Sequence, residues 1–172
     1  RMRADLQQSM VVENRIGADG AIAARAVANA APDGYTLLPS TGSQMTVNPA
    51  LQKELPYDPL RDFEAVGLFA RIPLVLVVNP AVPAATVREL AAYAQAHPDA
   101  LNYGSGGSIF MLATEKLKKL VAMPLHHIPF NGVPPAVNAI LAGDVQVGIV
   151  NVAPSLAHIR AGKLRALAVL GP

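Results

Sequence analysis

The sequence predicts an α/β fold with a mostly parallel sheet and flanking helices, on three observations. Strand-like apolar runs alternate with Ala-rich, helix-periodic stretches along the chain. The run IPLVLVVNP at 72–80 is continuously apolar between two prolines, as expected of a strand covered on both faces in a parallel sheet. Several strand-like segments end in polar, glycine-bearing loops, which is where open α/β sheets hold their ligands.

Taken in order, Met2, Leu6 and Met10 have helical spacing, and Val11 and Val12 suggest a short buried strand. The segment ENRIGADG then turns into a helix from Ile22 to Ala30, stopped by Pro32, Asp33 and Gly34. YTLLPST is expected as a strand, Thr41 to Ser43 as a polar loop at its end, and Pro49, Pro56 and Pro59 as marks of a connector before an extended region from Phe63. After the strand at 72–80, Thr86 with Glu89 three residues on forms a capping-box pattern for a helix reaching His97, where Pro98 ends it. LNYGSGGS predicts a strand and glycine-rich loop opening onto a helix from Phe110 to Leu120. HHIPF is a short strand, and NGVPPAVNAILAGD a turn and helix closed by Gly143. VQVGIVN is a strand, Ser155 to Ala161 a helix closed by Gly162, and LRALAVL a last strand.

Composition narrows the function classes. The chain has 172 residues with 14 Lys plus Arg against 12 Asp plus Glu, a net charge of +2 without any basic run, so no nucleic-acid partner is expected. Hydrophobic residues make up 52% and charged ones only 15%, below the roughly 25% of an ordinary globular domain, which excludes disorder. Pro, Gly, Asn or a charge interrupts every apolar stretch before the roughly 18 residues of a membrane span. Without cysteine there is no disulfide, thiolate metal site or cysteine nucleophile.

The loops after the strands collect Thr41, Gly42 and Ser43, then Ser105, Gly106, Gly107 and Ser108, then Asn131 and Gly132, then Asn151. All offer hydroxyls, amides or open backbone N–H groups, the donors a small carboxylate needs, and GSGGS adds a helix N-terminus. The same loop also fits a plain strand-to-helix turn. His126 and His127 are adjacent on a strand, so they face opposite sides and cannot share a metal. His97 and His158 fall at helix ends. The rival class is a small α/β hydrolase-like enzyme using Ser105 or His127. Against it, Tyr103 stands where a G-x-S-x-G nucleophile elbow needs its first glycine, and no acidic residue falls at a strand end. No phosphate-binding loop, dinucleotide fingerprint or zinc motif occurs, so neither cofactor nor metal is expected.

The segments VVENRIGADG, APDGYTLL, NPALQKELPYDPLRDFEAV, LVLVVNP with VPAATVREL, LNYGSGG, HIPFNG, ILAGDVQVGI and IRAGKLRALAV, in that order, resemble the Bug (TctC-like) extracytoplasmic solute receptors of tripartite tricarboxylate transporters. The resemblance implies a type II periplasmic binding protein without catalysis. Its two α/β lobes would close over a small organic acid or amino acid and deliver it to membrane permease subunits. It divides the chain into a partial first lobe at 1–78, a second lobe at 79–167 and a crossover at 168–172. Thr41 to Ser43 would face the solute from the first lobe, and Ser105 to Ser108, Asn131, Gly132 and Asn151 from the second. The family's preceding strand with its glycine-rich loop, and its continuation beyond LRALAV, have no counterpart here. Met111 stands where the family often has His, and Asn151 where Asp is frequent. The expected location is periplasmic, the signal peptide being absent from the chain. An incomplete first lobe would leave strand edges open, so self-association of the chain is also expected.

Overall fold

The computed structural model describes residues 7–171. Most of the helical spacing seen in Met2, Leu6 and Met10 therefore lies outside the described residues.

Among the described residues a single five-stranded sheet organises the fold, with β1 at Leu74–Val78, β2 at Asn102–Ser105, β3 at His126–Pro129, β4 at Val147–Asn151 and β5 at Arg165–Leu170. Its spatial order is β3-β2-β4-β1-β5. β2 runs parallel to β3 and β4, whereas β1 is antiparallel to both β4 and β5. Four strands thus point one way and β1 points the other. The expectation that β1 belongs to a parallel pairing is corrected on this point. Its continuous apolarity reports burial on both faces, which an interior strand has whatever its direction.

That burial follows the strand period of two. Leu76 and Val78 join Leu90, Leu101, Tyr103, Phe110 and Ile149 on one face, while Val75 and Val77 join Val137, Ile140, Val145 and Leu164 on the other. Helices α3 (Val87–Ala96) and α4 (Ser108–Val121) cover the first face. Helices α5 (Val133–Ala142) and α6 (Val152–Arg160) cover the second.

Local chemistry explains the helix ends. Thr86 Oγ1 accepts from Glu89 N at 3.1 Å and Glu89 Oε2 accepts from Ala85 N at 2.7 Å, so the expected capping box forms with its return bond one residue early. α5 stops where Gly143 takes a left-handed conformation (φ 87°), and the Ile140 carbonyl accepts from both Gly143 N at 3.2 Å and Asn79 Nδ2 at 2.7 Å.

Residues 7–73 behave differently from the expectation. Helix α1 (Ala21–Ala28) forms as read, and Ala21 and Ala24 pack with Tyr57 in a small separate core. Val11 and Val12 do not form a strand and are exposed, and neither YTLLPST nor the region from Phe63 forms one. A run of β-formers needs a neighbouring strand to complete its hydrogen bonds, and among the described residues these segments have none. The polar loop and connector are corrected as well. Ser43–Val47 is a π-helical turn running into α2 (Asn48–Leu51), with Pro49 in the first turn, where its missing N–H costs nothing.

Candidate functional site

Because β2, β3 and β4 are mutually parallel, their carboxyl ends share one sheet edge, and the loops carrying Ser105 to Ser108, Asn131 with Gly132, and Asn151 all leave from it. The first two loops touch. A methyl group on Gly106 would lie 2.4 Å from the Gly132 carbonyl carbon and 2.5 Å from Val133 N, so only glycine allows this approach. Asn151 ends β4 on the same edge.

Gly42 and Ser43 reach this edge through α4, whereas Thr41 donates through its N and Oγ1 to Gln44 Oε1 at 2.9 and 3.4 Å. Ser43 Oγ accepts from Ile109 N at 3.3 Å, and Gly42 lies beside the Ile109 side chain. Two residues that the sequence did not single out complete the junction. Asp19 Oδ2 accepts from Ser108 N at 2.9 Å. Asn48, fully buried, accepts from Ser108 Oγ at 2.8 Å and donates to the Asp19 carbonyl at 3.2 Å. The expectation that the α4 N-terminus stands open to a solute is therefore corrected: Asp19 and Ser43 already accept from two of its N–H groups. The one signal in the sequence was the spacing of glycines around Asp19, because Gly17, Ala18, Asp19 and Gly20 all have positive φ (131°, 47°, 50° and 85°).

Donors remain at this edge. Among the described residues, the N–H groups of Gly106 and Gly107 and the side-chain amides of Asn131 and Asn151 have no hydrogen-bond partner. None of the predicted site residues carries a positive charge. The edge offers neutral donors that can orient a carboxylate without a salt bridge.

Ser105 and His127 meet, Oγ to Nε2 at 2.7 Å, with the imidazole stacked on Tyr103 at 4.8 Å between ring centroids. Burial pushes the His127 imidazole down from its ordinary value; the Glu115 charge opposes this and Lys118 reinforces it. Burial, joined by the bond to Glu115, pushes the Tyr103 phenol well up. For Glu115, burial acts upward, but hydrogen bonds from Lys118 and Tyr103 outweigh it and hold the carboxyl below its usual value. The surroundings of the pair do not favour a hydrolase centre. Ser105 is only 3% exposed, and Glu115, which could orient a catalytic histidine, is engaged by Tyr103 and Lys118 at 2.7 and 2.8 Å. His126 faces the other way, with Nε2 3.4 Å from Asp99 Oδ1. Among the described residues no group of three His, Asp or Glu could hold a metal, and no helix is long and apolar enough to cross a membrane.

A hollow of about 500 Å³ lined by Gln95, Glu115, Lys118, Lys119, Met123 and Pro124 lies at the opposite end of the sheet, where β2 and β3 begin. Being remote from the strand carboxyl ends, it is not the place the fold provides for a ligand.

The sheet and its covering helices are the fold of solved periplasmic binding proteins. Solved relatives agree on this. A structure described as a periplasmic transporter superposes with a TM-score of 0.94 at 42% identity, covering 100% of this chain and 58% of that one. MatC from Rhodopseudomonas palustris, solved with bound malate, gives 0.88 at 31% identity over 99% of this chain and 58% of its own. An R. palustris protein solved with adipate gives 0.93 at 34% identity, covering 98% and 57%. The profile described as "Tripartite tricarboxylate transporter family receptor" matches residues 1–172, and the chain belongs to that family. Protein BugT of Bordetella pertussis is 39% identical over 168 residues, 96% of this chain and 52% of BugT. The chain spans about half the length of the curated relatives it matches.

Proposed function

We propose that this chain is the solute-capturing part of a periplasmic receptor, holding a small carboxylated solute for delivery to the permease subunits of a tripartite tricarboxylate transporter. The observation that carries this reading is the set of unpaired neutral donors at one sheet edge, on Gly106, Gly107, Asn131 and Asn151. Membership of the receptor family supports it, as do relatives solved with malate and with adipate. The donors orient the carboxylate, and closure of a second surface over it excludes water and strengthens each hydrogen bond. No bond is made or broken in the solute, so the role is binding without catalysis.

In this reading residues 1–78 belong to a first lobe, 79–167 to a second, and 168–172 to the return crossover. Bounds of 74 and 170 for the second lobe fit the sheet better, because β1 at Leu74–Val78 is bonded between β4 and β5 and β5 runs to Leu170. Thr41 to Ser43 approach the solute from the first lobe, and Ser105 to Ser108 anchor the loop that meets it from the second. Calorimetric titration with a panel of mono- and dicarboxylates is expected to show saturable binding of at least one, and a folded chain that bound none would overturn the proposal. The exposed Val66, Leu68 and Phe69, together with Val11 and Val12, further suggest that the 172-residue chain associates with a second copy. Light scattering at the mass of a monomer across concentrations would contradict that.

A further inference from the structure

The carboxylate of Asp19 sits at the candidate site, and among the described residues it is bonded to backbone alone. Its Oδ2 accepts from Ser108 N at 2.9 Å, and its Oδ1 lies 2.7 Å from where a methyl group on Gly107 would stand. Among the described residues Asp19 makes no ion pair. Its charge is met by the positive end of α4, a helix of 14 residues. The next two N–H groups back along the chain, on Gly107 and Gly106, are two of the unpaired donors of the site.

The position is built and not incidental. Asp19 lies in the second of two consecutive non-glycine residues with left-handed backbone, a conformation such residues rarely adopt and keep only when their surroundings impose it. The surroundings do so here. Asn48 Nδ2 donates to the Asp19 carbonyl at 3.2 Å, and Gln44 Nε2 donates to the Gly20 carbonyl at 3.0 Å.

We propose that Asp19 is a specificity-determining residue: its fixed negative charge beside the Gly106 and Gly107 donors admits one carboxylate of a solute and disfavours a second. The preferred substrate class is then a monocarboxylate, including amino acids whose ammonium group offsets the charge, over a dicarboxylate of the same length. This rests on the carboxylate-binding reading above. The physical cause is repulsion between like charges a few ångströms apart in a partly buried site, with no cationic side chain among the site residues to compensate it.

The test compares hexanoate with adipate, and butyrate with succinate, by calorimetric titration of the 172-residue chain and of Asp19→Asn. Asparagine keeps an oxygen to accept from Ser108 N and is as good a helix cap, so a purely structural Asp19 would leave the preference unchanged. The expected result is that Asp19→Asn shifts the ratio of dicarboxylate to monocarboxylate affinity about tenfold toward the dicarboxylate. A second arm needs no substitution: raising salt should narrow the preference of the native chain. Equal ratios in both proteins, or a native preference for the dicarboxylate that salt leaves untouched, would overturn the proposal while carboxylate binding stands. Absence of binding to all four solutes in both proteins would instead overturn the carboxylate reading on which it depends.

Discussion

Replacing Gly106 with alanine is expected to destabilise the chain by about 3 kcal/mol, the upper end of the overpacking range, and to abolish solute binding. The added methyl would lie 2.4 to 2.5 Å from the Gly132 carbonyl group and Val133 N, all backbone atoms of a neighbouring loop. Backbone cannot rotate aside as a side chain can, so the loops after β2 and β3 must part. Gly148 provides the control. A methyl there would meet Ile140 Cδ1 at 2.5 Å, the mobile end of a side chain, and its alanine variant should cost less. Urea denaturation of both variants measures the difference. A Gly106→Ala chain as stable as the native one and still binding solute would show that the close approach of the two loops does not shape the site.

Replacing Leu76 with alanine is expected to cost about 3 to 4 kcal/mol, because a buried leucine deletion loses both transfer free energy and the contacts around the cavity left behind. Leu76 is 1% exposed at the centre of β1 and packs in the core beneath α3 and α4. β1 is bonded to β4 on one side and β5 on the other, so the strand cannot shift toward the void without breaking a ladder. A cost that large is a substantial part of the roughly 5 to 15 kcal/mol of a typical domain. Thermal unfolding followed by circular dichroism reads it, and a change under about 1 kcal/mol, as for a surface position, would mean that β1 is not the centre of the core.

What could be read from the sequence was what neighbouring residues decide. The Thr86 and Glu89 cap, the Gly143 stop and the apolar β1 depend on contacts within a few residues, and each appears in the structure. What could not be read depends on distant partners. The direction of β1 is set by β4 and β5, roughly seventy to ninety residues further on, and its own side chains do not encode it. Val11 with Val12, and YTLLPST, carry strand character that is realised only when another strand is beside them. The helical segment at 43–51 was hidden because Pro49 suggests a connector, although proline suits a first helical turn.

The candidate site divides the same way. The loops at Ser105, Asn131 and Asn151 were legible because strand ends in α/β sheets mark them. Asp19 and Asn48 were not, because they meet Ser108 across separations of 89 and 60 residues. Ser105 and His127 were each visible as chemistry-bearing residues, but their pairing follows from the parallel register that sets Tyr103 opposite His127.

The most direct test of the receptor reading is an amide-resolved NMR titration of the 15N-labelled chain with hexanoate and adipate. The account predicts saturable shifts concentrated at the backbone amides of Gly106, Gly107 and Gly132 and at the side-chain amides of Asn131 and Asn151. Saturable shifts confined instead to the hollow around Lys118 and Lys119 at the other end of the sheet, or none at all in a folded chain, would contradict it.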